Sequence, residues 1–516
     1  MRTLRHGAEA GLGLVTVFAV LVCACVATPA WASDPPVPAG YQVQRRTEVT
    51  TGVEQLRLMR ATPPLVVNVA RIAAGAPVSL RAVLSNDQVA GDAPLRLERT
   101  SSMCARTHCL VAVNGDFALG SSGEPTGGLV TGGQLLRTPS STHHQLSVTE
   151  DGHLEAGGFE WHGKLVPTDL AELTLTGVNS PVADDGLVLY TPAFGASTLT
   201  DAVGASLVLR GVEPAGALRP GQTTLVEMVD LRDREADVPV PADGTVLYGR
   251  GQSAEALRSL WRRVQSGALS ARAFLRLDLA GGVTESLGGT PILLRDGKRW
   301  FADSNDDFTR GRQPRTMVGW NPAGDVVLVT VDGREPAVSV GMTLAEAADL
   351  LLALGATDGI NLDGGGSTTF VSGGAVANDP SDVAVRRNGQ EVIQHSAGPG
   401  ERVIGHVERP VASALAIVPK NEVAVPPAPR LGGSGASGPQ ALAVPGPTST
   451  DPGSVPGATL PARVFAPVVN FARQVRVAAV TANTIVALAL LALAWKRRRQ
   501  AAAPGYQEPE RSSLPA

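Results

Sequence analysis

The sequence predicts an α+β fold with mixed or antiparallel β-sheets and a few helices. Short apolar runs such as GLVLYTP, DVVLVTVDGR and GINLDGGG lead into Gly, Asn, Asp or Pro, as strands entering turns do. These strand patterns outnumber the helical ones and do not alternate with them regularly, which disfavours a doubly wound α/β fold. The sequence shows no internal repeat of solenoid or propeller period.

Two segments have helical patterns with recognisable ends. In TLAEAADLLLALG, Thr343 with Glu346 three residues later predicts a capping box, and Gly355 marks the C-terminal stop. In SAEALRSLWRRVQSG, Ser253 is the predicted N-cap and Gly267 follows the last turn. The apolar face of this second helix consists of Leu257, Leu260, Trp261 and Val264.

The composition is that of a globular protein without a strong charge. The 516 residues include 44 Lys and Arg against 48 Asp and Glu, which gives a formal net charge of −4. Such a balance offers no basic field for nucleic acid, so we expect no nucleic-acid partner. Hydrophobic residues make up 43% and aromatic residues 4%, enough for a large core built mainly from Val, Leu and Ala.

Residues 1–32 have the layout of a secretory signal peptide. Two early arginines precede an apolar run, and small residues flank Trp31 before a mature start near Ser33. An uncleaved N-terminal anchor is the alternative, and a lipoprotein site at Cys23 or Cys25 fits the local pattern poorly.

Export would leave Cys104 and Cys109 as the cysteines of the mature chain. In an oxidising compartment the short spacing CARTHC predicts a local disulfide between them. The alternative of two free catalytic thiols has no supporting partner in the sequence.

The C-terminal part reads as a stalk followed by a membrane anchor. Residues 423–460 are rich in Pro, Gly, Ser and Ala, which is typical of a disordered linker. Residues 477–495 carry no charge and precede the basic run KRRR, so we expect a transmembrane helix with a cytoplasmic tail at 496–516. A buried helix of the globular part is the alternative. The predicted ectodomain is then 41–410, outside the cytoplasm and β-rich to about residue 100.

The run NLDGGGSTTF is the most unusual stretch between these segments. Gly364, Gly365 and Gly366 could form a simple turn capped by Asp363. A nucleotide loop is disfavoured, because neither the P-loop nor the dinucleotide pattern is present. A third interpretation is an anion site, in which the glycines expose backbone N–H groups and Asp363 supplies a fixed carboxylate.

Charged residues elsewhere could complete such a site. Arg315 and Arg334 have the fork geometry that suits phosphate oxygens, and Asn114 and Asp116 follow another apolar strand. Taken singly, each also fits an ordinary role: a solvated charge for Arg315, a turn with a surface ion pair for Asp332 and Arg334, and an Asn-Gly turn for Asn114.

A metal site has weak support in the sequence. His143 and His144 are adjacent, but there is no zinc-protease motif and no paired cysteine spacing. The acidic run at 303–307 resembles the start of a calcium loop, yet Phe308 stands where that loop needs glycine. We therefore expect no cofactor, with calcium at this run as the alternative to a solvated acidic turn.

Several segments in the same order resemble the phosphodiester glycosidase family. They are VNGDF, EPTGGLVTGGQLL, PRTMVGW, VLVTVDGR, GMTLAEAADLLLALGATDGINLDGGGSTT, NDPS and GERVIGHV, with VNSPVADDGLVLYTPAFGASTLT similar to bacterial members. The resemblance covers approximately residues 41–410. One departure is that Phe117 is followed by Ala118 where family members commonly have a second aromatic residue.

The resemblance implies hydrolysis of a sugar-1-phosphodiester at its glycosidic bond. We expect the substrate to be a cell-surface or exopolysaccharide glycan. Carried to the matching positions, it implies Asp363 and Asp116 as catalytic carboxylates and Arg315 and Arg334 as phosphate-binding residues. The implied supporting residues are Asn114, Thr316, Asp332 and Ser367.

Two other functions stay open at this point. A non-catalytic glycan-binding protein could use the same cleft, although binding alone does not require carboxylates beside an anionic ligand. A phosphodiesterase that cleaves the P–O bond would release a sugar phosphate instead of free sugar.

Overall fold

The computed structural model describes residues 37–91, 96–119, 122–139, 143–158, 160–211, 218–387, 389–395 and 401–420. The chain divides into two units, 1–434 and 435–516, and every described residue belongs to the first. The predicted signal peptide (1–32), stalk (423–460), transmembrane helix (477–495) and tail (496–516) lie outside the described residues. Among the helices that are described, none has the length and apolar character to cross a membrane.

The described residues form five β-sheets and four α-helices, so the predicted α+β class is confirmed. Sheet I has the spatial order β1 (Gln42–Thr50), β2 (Val53–Arg60), β3 (Leu65–Ile72), β22 (Val326–Val331), β21 (Arg315–Trp320), β23 (Asp358–Asn361), β19 (Ile292–Arg295) and β20 (Lys298–Arg299). Sheet II has the order β11 (Leu173–Thr174), β10 (Trp161–Pro167), β17 (Arg272–Leu279), β15 (Thr223–Asp233), β14 (Ala205–Arg210), β16 (Gly244–Gly249), β13 (Leu187–Tyr190) and β12 (Gly177–Val178).

Three smaller sheets complete the β-structure. Sheet III has the order β7 (Gln134–Arg137), β6 (Leu129–Thr131), β18 (Val283–Gly289), β8 (His144–Thr149) and β9 (Leu154–Gly157). Sheet IV has the order β25 (Ala375–Val376), β24 (Phe370–Ser372), β5 (Val111–Asn114), β29 (Ser413–Pro419) and β4 (Val78–Leu84). Sheet V has the order β27 (Gln390–Gln394), β26 (Asp382–Arg387) and β28 (Val403–Val407). Within the described strands the pair β12 and β13 is parallel, and the other pairs are antiparallel.

The α-helices are α1 (Thr100–Arg106), α2 (Gly251–Gln265), α3 (Asp307–Arg310) and α4 (Leu344–Ala353). The predicted capping box of α4 is confirmed: the Thr343 hydroxyl accepts from the Glu346 N–H at 3.1 Å, and the Glu346 carboxylate accepts from the Thr343 N–H at 3.0 Å. Gly355 follows the helix with a φ of 91°, in the left-handed conformation that ends many helices.

The N-terminus of α2 differs from the sequence prediction. The helix begins at Gly251, and Ser253 lies within its first turn, where its hydroxyl donates to the backbone carbonyl of Asp185. The Asp185 carboxylate, from a distant part of the chain, accepts from the Gln252 N–H at 2.7 Å. Ser253 as N-cap was therefore wrong, because a tertiary contact supplies the cap that the local pattern assigned to the serine. The predicted apolar face is confirmed by the packing of Leu257, Leu260, Trp261 and Val264 against the core of sheet II.

Sheet I lies between two hydrophobic clusters. In β22, Val327, Val329 and Val331 face the cluster that includes α4, whereas Val326 and Leu328 face the opposite cluster. This alternation with period two is what a strand buried on both faces requires. The second cluster also contains residues from sheets III and IV, so the central core holds these three sheets together.

The predicted disulfide is confirmed. Cys104 of α1 is bonded to Cys109, with a distance of 4.9 Å between their Cα atoms. It lies beside a separate apolar cluster formed by α1 and the strands of sheet IV. The disulfide therefore closes the end of α1 against the start of β5.

Candidate active site

The candidate site forms where β5 of sheet IV and β23 of sheet I end beside each other. The Asp363 N–H donates to the Gly115 carbonyl at 3.0 Å, and the Asn114 amide donates to the Asp363 carbonyl at 2.7 Å. The Asn114 oxygen accepts from the Thr316 hydroxyl at 2.7 Å and from the Thr369 N–H at 3.1 Å. Asn114 thus joins both sheets and places Asp116 and Asp363 in one region.

Asp116 is a buried carboxylate, with 1% of its surface exposed. One of its oxygens accepts from the Phe117 N–H at 2.7 Å and the Thr126 hydroxyl at 2.9 Å, and the other accepts from the Gly127 N–H at 2.6 Å. Burial raises the pKa of Asp116 to about 6, and these three hydrogen bonds act against that rise. A Cβ at Gly288 would lie 2.5 Å from the same carboxylate, so glycine there makes room for it.

Asp363 is partly exposed as a residue, while its carboxyl group is enclosed by neighbouring groups. Desolvation raises its pKa to about 6, opposed by hydrogen bonds from the Ser367 side chain and the Gly364 N–H and by the positive charge of Arg409. The negative charge of Asp116 adds to the rise. The two carboxyl groups therefore interact electrostatically, as two acids sharing one site do.

Gly365 and Gly366 leave space for arginine side chains, a role that the sequence analysis did not assign to them. The Gly364 N–H donates to the Asp363 carboxylate and the Gly365 N–H to the Pro314 carbonyl, so these two groups do not form the predicted nest of free donors. A Cβ at Gly365 would lie 2.9 Å from the Arg334 guanidinium. A Cβ at Gly366 would lie 2.0 Å from the Arg409 guanidinium. The glycine run makes room for two arginines.

Arg334 occupies a special backbone position beside the glycine run. Its φ of 66° lies in the left-handed region, which a non-glycine residue seldom adopts outside functional or turn positions. Its guanidinium donates to the Gln313 side chain at 3.1 Å and to the Ser381 hydroxyl at 3.3 Å. Burial and the nearby charge of Arg409 lower its pKa. The negative charge of Asp382 acts against this lowering. No salt bridge to Arg334 occurs within the described part of the chain.

Arg409 is the second arginine of the site, and the sequence analysis did not select it. Its guanidinium makes a two-pronged ion pair with Asp382, at 2.7 and 2.8 Å, and lies 2.6 Å from the His395 ring nitrogen. Both partners sit close to segments that carried the family resemblance: Asp382 follows NDPS directly, and Arg409 lies two residues beyond GERVIGHV. That adjacency was the available signal.

The Arg315 backbone lies against the glycine run, with its Cα 3.8 Å from a Cβ built at Gly364, but its side chain has a different set of partners. It is buried, and it donates to the backbone carbonyls of Met342 at 3.0 Å, Phe308 at 2.7 Å and Gly311 at 3.0 Å. Burial lowers its pKa to about 10. These contacts brace the segment 308–311 and favour a structural role for Arg315 over the predicted phosphate contact.

The remaining predicted residues, Asp332, Thr316 and Ser367, make hydrogen bonds that support the site. The Asp332 carboxylate is buried and accepts from the Asn378 amide at 3.1 Å and the Asp379 N–H at 3.4 Å. It does not form the surface ion pair with Arg334 that the local sequence also allowed. Burial raises the pKa of Asp332 to about 7. Thr316 holds Asn114, and Ser367 holds Asp363, as described above.

Aromatic side chains from separate segments form one rim near Asp116. The Phe117 ring centroid lies 6.1 Å from that of His143 and 6.2 Å from that of Phe308, which is 43% exposed. The His143 ring nitrogen is 3.4 Å from the Thr126 hydroxyl that donates to Asp116. Ala118 leaves the position after Phe117 without an aromatic ring. Phe308 provides a second ring from a distant part of the chain.

The acidic run at 303–307 has local partners. Asp306 caps α3 by accepting from the Thr309 N–H at 2.7 Å, and Asp303 pairs with Arg310 at 3.2 Å. Groups of three or more residues able to hold a metal ion are absent among the described residues.

Comparison with known proteins supports the resemblance seen in the sequence. Residues 222–418 match the family model described as phosphodiester glycosidase. Over 119 residues, the chain is 34% identical to the bovine and 33% identical to the human N-acetylglucosamine-1-phosphodiester alpha-N-acetylglucosaminidase. These matches cover 20% of this chain and 22% and 23% of the two relatives. The chain is thus matched to less than a quarter of the length of either.

The predicted resemblance to the phosphodiester glycosidase family is confirmed over residues 222–418. The bovine and human relatives are phosphodiester glycosidases. The stretch includes Arg334, Asp363 and Arg409, whereas Asp116 reaches the site from outside it. A solved structure of a hypothetical protein from Synechocystis has the same fold, with a TM-score of 0.53 and 18% identity. The alignment covers 74% of this chain and 64% of that one.

Proposed function

We propose that the protein hydrolyses the glycosidic bond of a sugar-1-phosphodiester and releases a free sugar and a phosphomonoester. The observation that carries this proposal is the pair Asp116 and Asp363, both with a pKa raised to about 6, beside two arginines that flank the glycine run. The names of the bovine and human relatives describe the same class of substrate.

Arg334 and Arg409 bind the phosphate in this proposal. Arg334 donates to the neutral side chains of Gln313 and Ser381, and within the described residues no carboxylate lies close enough for a salt bridge with it. Arg409 is held in a fixed orientation by Asp382. Guanidinium groups fixed in this way match two phosphate oxygens and stabilise the charge that the leaving group gains.

The reaction breaks the bond between the anomeric carbon and the phosphate oxygen. The electron pair of that bond moves to the phosphate oxygen, while water supplies the new hydroxyl on the sugar and releases a proton. Asp363, the more exposed of the two residues, stabilises the positive charge that develops at the anomeric carbon. A phosphomonoester is a good leaving group, so the demand for a general acid is small.

In this proposal Asp116 is a buried, fixed negative charge that acts on Asp363 and on the sugar. Its three hydrogen-bond donors fix its position, and its charge raises the pKa of Asp363. Removal of the Asp116 charge therefore alters the proton affinity of Asp363 as well as the field at the sugar. In this proposal Asp116 must therefore be ionised, as Asp363 must.

Phe117 and Phe308 receive the sugar ring. The apolar face of a sugar packs on aromatic rings, and the exposed Phe308 is placed beside Phe117 at the rim of the site. Phe308 thereby substitutes for the second aromatic residue that the sequence lacks after Phe117.

The test uses the full-length protein with an α-N-acetylglucosamine-1-phosphodiester, followed by NMR. We expect free N-acetylglucosamine and a phosphomonoester from the wild type and no turnover from Asp363→Asn. The matched control is Asp349→Asn, which removes an exposed carboxylate that pairs with Arg299 and should leave turnover unchanged.

Two other results would replace the proposal. Release of N-acetylglucosamine 1-phosphate would assign the chemistry to P–O cleavage. Saturable binding of several sugar phosphodiesters without turnover would assign the site to a glycan-binding protein.

We also propose that the protein acts outside the cytoplasm on a cell-surface or exopolysaccharide glycan, held by the apolar segment 477–495. The disulfide between Cys104 and Cys109 supports this location, because such bonds persist in oxidising compartments. Protease added to intact cells that express the full-length chain should remove the glycosidase part and spare a C-terminal epitope. Protection of the whole chain from protease would contradict this location.

A further inference from the structure

A cavity lies outside the candidate active site. Its volume is about 270 Å³, and it is bordered largely by the segment 178–200, a motif that the proposed hydrolysis does not use. Small-molecule sites typically measure about 300 to 1,000 Å³, so this cavity lies just below that range and fits at most one small ligand. The residues that define its chemistry are Glu124, Tyr190, Phe194, Asp201, Tyr248 and Arg250.

One wall of the cavity is aromatic and fixed in place. Tyr190, Phe194 and Tyr248 are each buried, and the rings of Tyr190 and Phe194 meet edge to face with centroids 4.7 Å apart. The Tyr190 hydroxyl donates to the Ser180 carbonyl, at 3.3 Å. Because packing and hydrogen bonds hold these rings, the wall is formed before a ligand binds and little ordering of it is needed on binding.

The opposite side is polar and carries charges of both signs. The Tyr248 hydroxyl donates to the Asp201 carboxylate, and an Arg250 nitrogen lies 3.6 Å from the other Asp201 oxygen. The Asp201 side chain is about half exposed, so its oxygens keep capacity to accept further hydrogen bonds. Glu124 adds a second carboxylate, paired with Arg137 at 2.8 Å.

We propose that this cavity binds an uncharged sugar ring. A sugar offers an apolar face to the aromatic wall and hydroxyl groups that donate to carboxylates and accept from a guanidinium. The two carboxylates disfavour a phosphate or another anion, and Arg250 disfavours a cation. A purely apolar ligand would leave Asp201 and Arg250 desolvated without new partners.

The backbone at the mouth of the cavity is strained in a way that fits a ligand site. Leu199 has a φ of 51° and is the one aliphatic residue with a left-handed conformation among the described residues. Its side chain is 55% exposed, and its N–H donates to the Asp237 carboxylate at 3.1 Å. Strained residues of this kind occur at ligand clamps, where the surrounding structure holds them.

A chain of contacts joins the cavity to the candidate active site. Arg137, which pairs with Glu124, also donates to the Gly127 carbonyl at 3.2 Å, and the Gly127 N–H donates to Asp116. The cavity and Asp116 are therefore linked through Arg137 and Gly127. The proposed sugar site is nevertheless distinct from the proposed hydrolysis, because its polar groups are separate from Asp116 and Asp363.

The test is saturation-transfer NMR on the full-length protein with three uncharged probes: methyl α-glucoside, methyl α-mannoside and N-acetylglucosamine. We expect transfer to at least one probe with the wild type and equally with Asp363→Asn. Thr200→Trp should fill the cavity, and Arg250→Ala should remove a charged donor. Either change should weaken binding by about tenfold or more, the effect of losing a hydrogen bond to a charged group.

Arg210→Ala is the matched control for Arg250→Ala, since Arg210 forms an exposed ion pair with Asp243 on the same sheet. The proposal is overturned if none of the probes binds, or if both cavity variants bind as the wild type does. It is also overturned if Asp363→Asn abolishes binding, because the sugar then belongs to the catalytic site. Should Thr200→Trp fail to fold, Arg250→Ala decides the question.

Discussion

The Asn114 side chain donates to the backbone carbonyl of Asp363 at 2.7 Å, and this hydrogen bond joins the end of β5 to the end of β23. The two strands belong to different sheets and lie far apart in the sequence. The bond fixes the backbone of Asp363, while the oxygen of the Asn114 side chain accepts from the Thr316 hydroxyl and the Thr369 N–H. The relative position of the two candidate carboxylates therefore depends on one buried amide.

Replacement of Asn114 should weaken both the fold and the reaction. Asn114→Ala leaves buried hydrogen-bonding groups of Asp363, Thr316 and Thr369 without their partner, so we expect the free energy of unfolding to fall by about 2 to 4 kcal/mol. Turnover of the folded fraction should fall as well. Urea unfolding and single-turnover kinetics measure the two effects, and Asn305→Ala is the control, since Asn305 is exposed and accepts one hydrogen bond from Arg310, at 2.8 Å. Full turnover of folded Asn114→Ala would contradict the positioning role.

Activity should depend on pH through the pair Asp116 and Asp363. Both carboxyls have a pKa raised to about 6, and the proposed reaction needs the ionised form. Therefore kcat/KM should fall as the pH is lowered through about 6, with apparent pKa values that belong to the pair. A pH–rate profile checks this expectation. A profile that stays flat between about pH 5 and 7, or rises on acidification, would show that the ionised pair is not required.

The contribution of Asp332 to stability should fall as the pH rises, whereas activity should rise with pH. Burial raises its pKa to about 7, so the folded protein holds this proton more tightly than the unfolded chain does. Its contribution to stability is complete below the unfolded pKa of about 4 and is lost as the pH rises through about 7. Asp332→Asn should therefore lose less stability than the wild type between about pH 4 and 8. Urea unfolding across this range, with exposed Asp303→Asn as control, gives the comparison, and equal slopes would refute the prediction.

A single methyl group at Gly366 should disturb the arginine of the site. The Cβ of Gly366→Ala would lie 2.0 Å from the Arg409 guanidinium and 2.2 Å from the Asp382 carboxylate. We expect a loss of about 1 to 3 kcal/mol in the free energy of unfolding and weaker inhibition by inorganic phosphate. Gly405→Ala, where nothing lies within 4 Å of the new Cβ, should be silent. Unchanged inhibition of Gly366→Ala by phosphate would show that Arg409 does not bind phosphate.

Phe308 should affect substrate binding more than stability. Phe308→Ala removes an exposed ring next to Phe117, and a stacking contact of about 0.5 to 1.5 kcal/mol corresponds to a rise in KM of roughly two- to tenfold. Phe274→Ala is a matched control, since Phe274 is 44% exposed and lies on β17 of sheet II. Steady-state kinetics of both variants test this. A fall in kcat with unchanged KM would place Phe308 outside the sugar-binding rim.

Local chemistry made much of the fold predictable. The capping box of Thr343 and Glu346 is confirmed because its two hydrogen bonds depend only on residues three apart. The disulfide between Cys104 and Cys109 is confirmed for a similar reason, since a short spacing keeps the two side chains close. Ser253 was the failure among these local features, because Asp185 from another segment supplies the helix cap.

The sequence by itself determined the class of fold, the positions of strand ends and the identity of Asp116 and Asp363 as candidates, because turn signals and carboxylates after strands are local patterns. Only the tertiary structure decided which charges meet at the glycine run. Arg315 turned to backbone carbonyls, whereas Arg409 came to Gly366 through its ion pair with Asp382. Long-range pairing of charges depends on how the sheets pack, and no spacing along the chain encodes it.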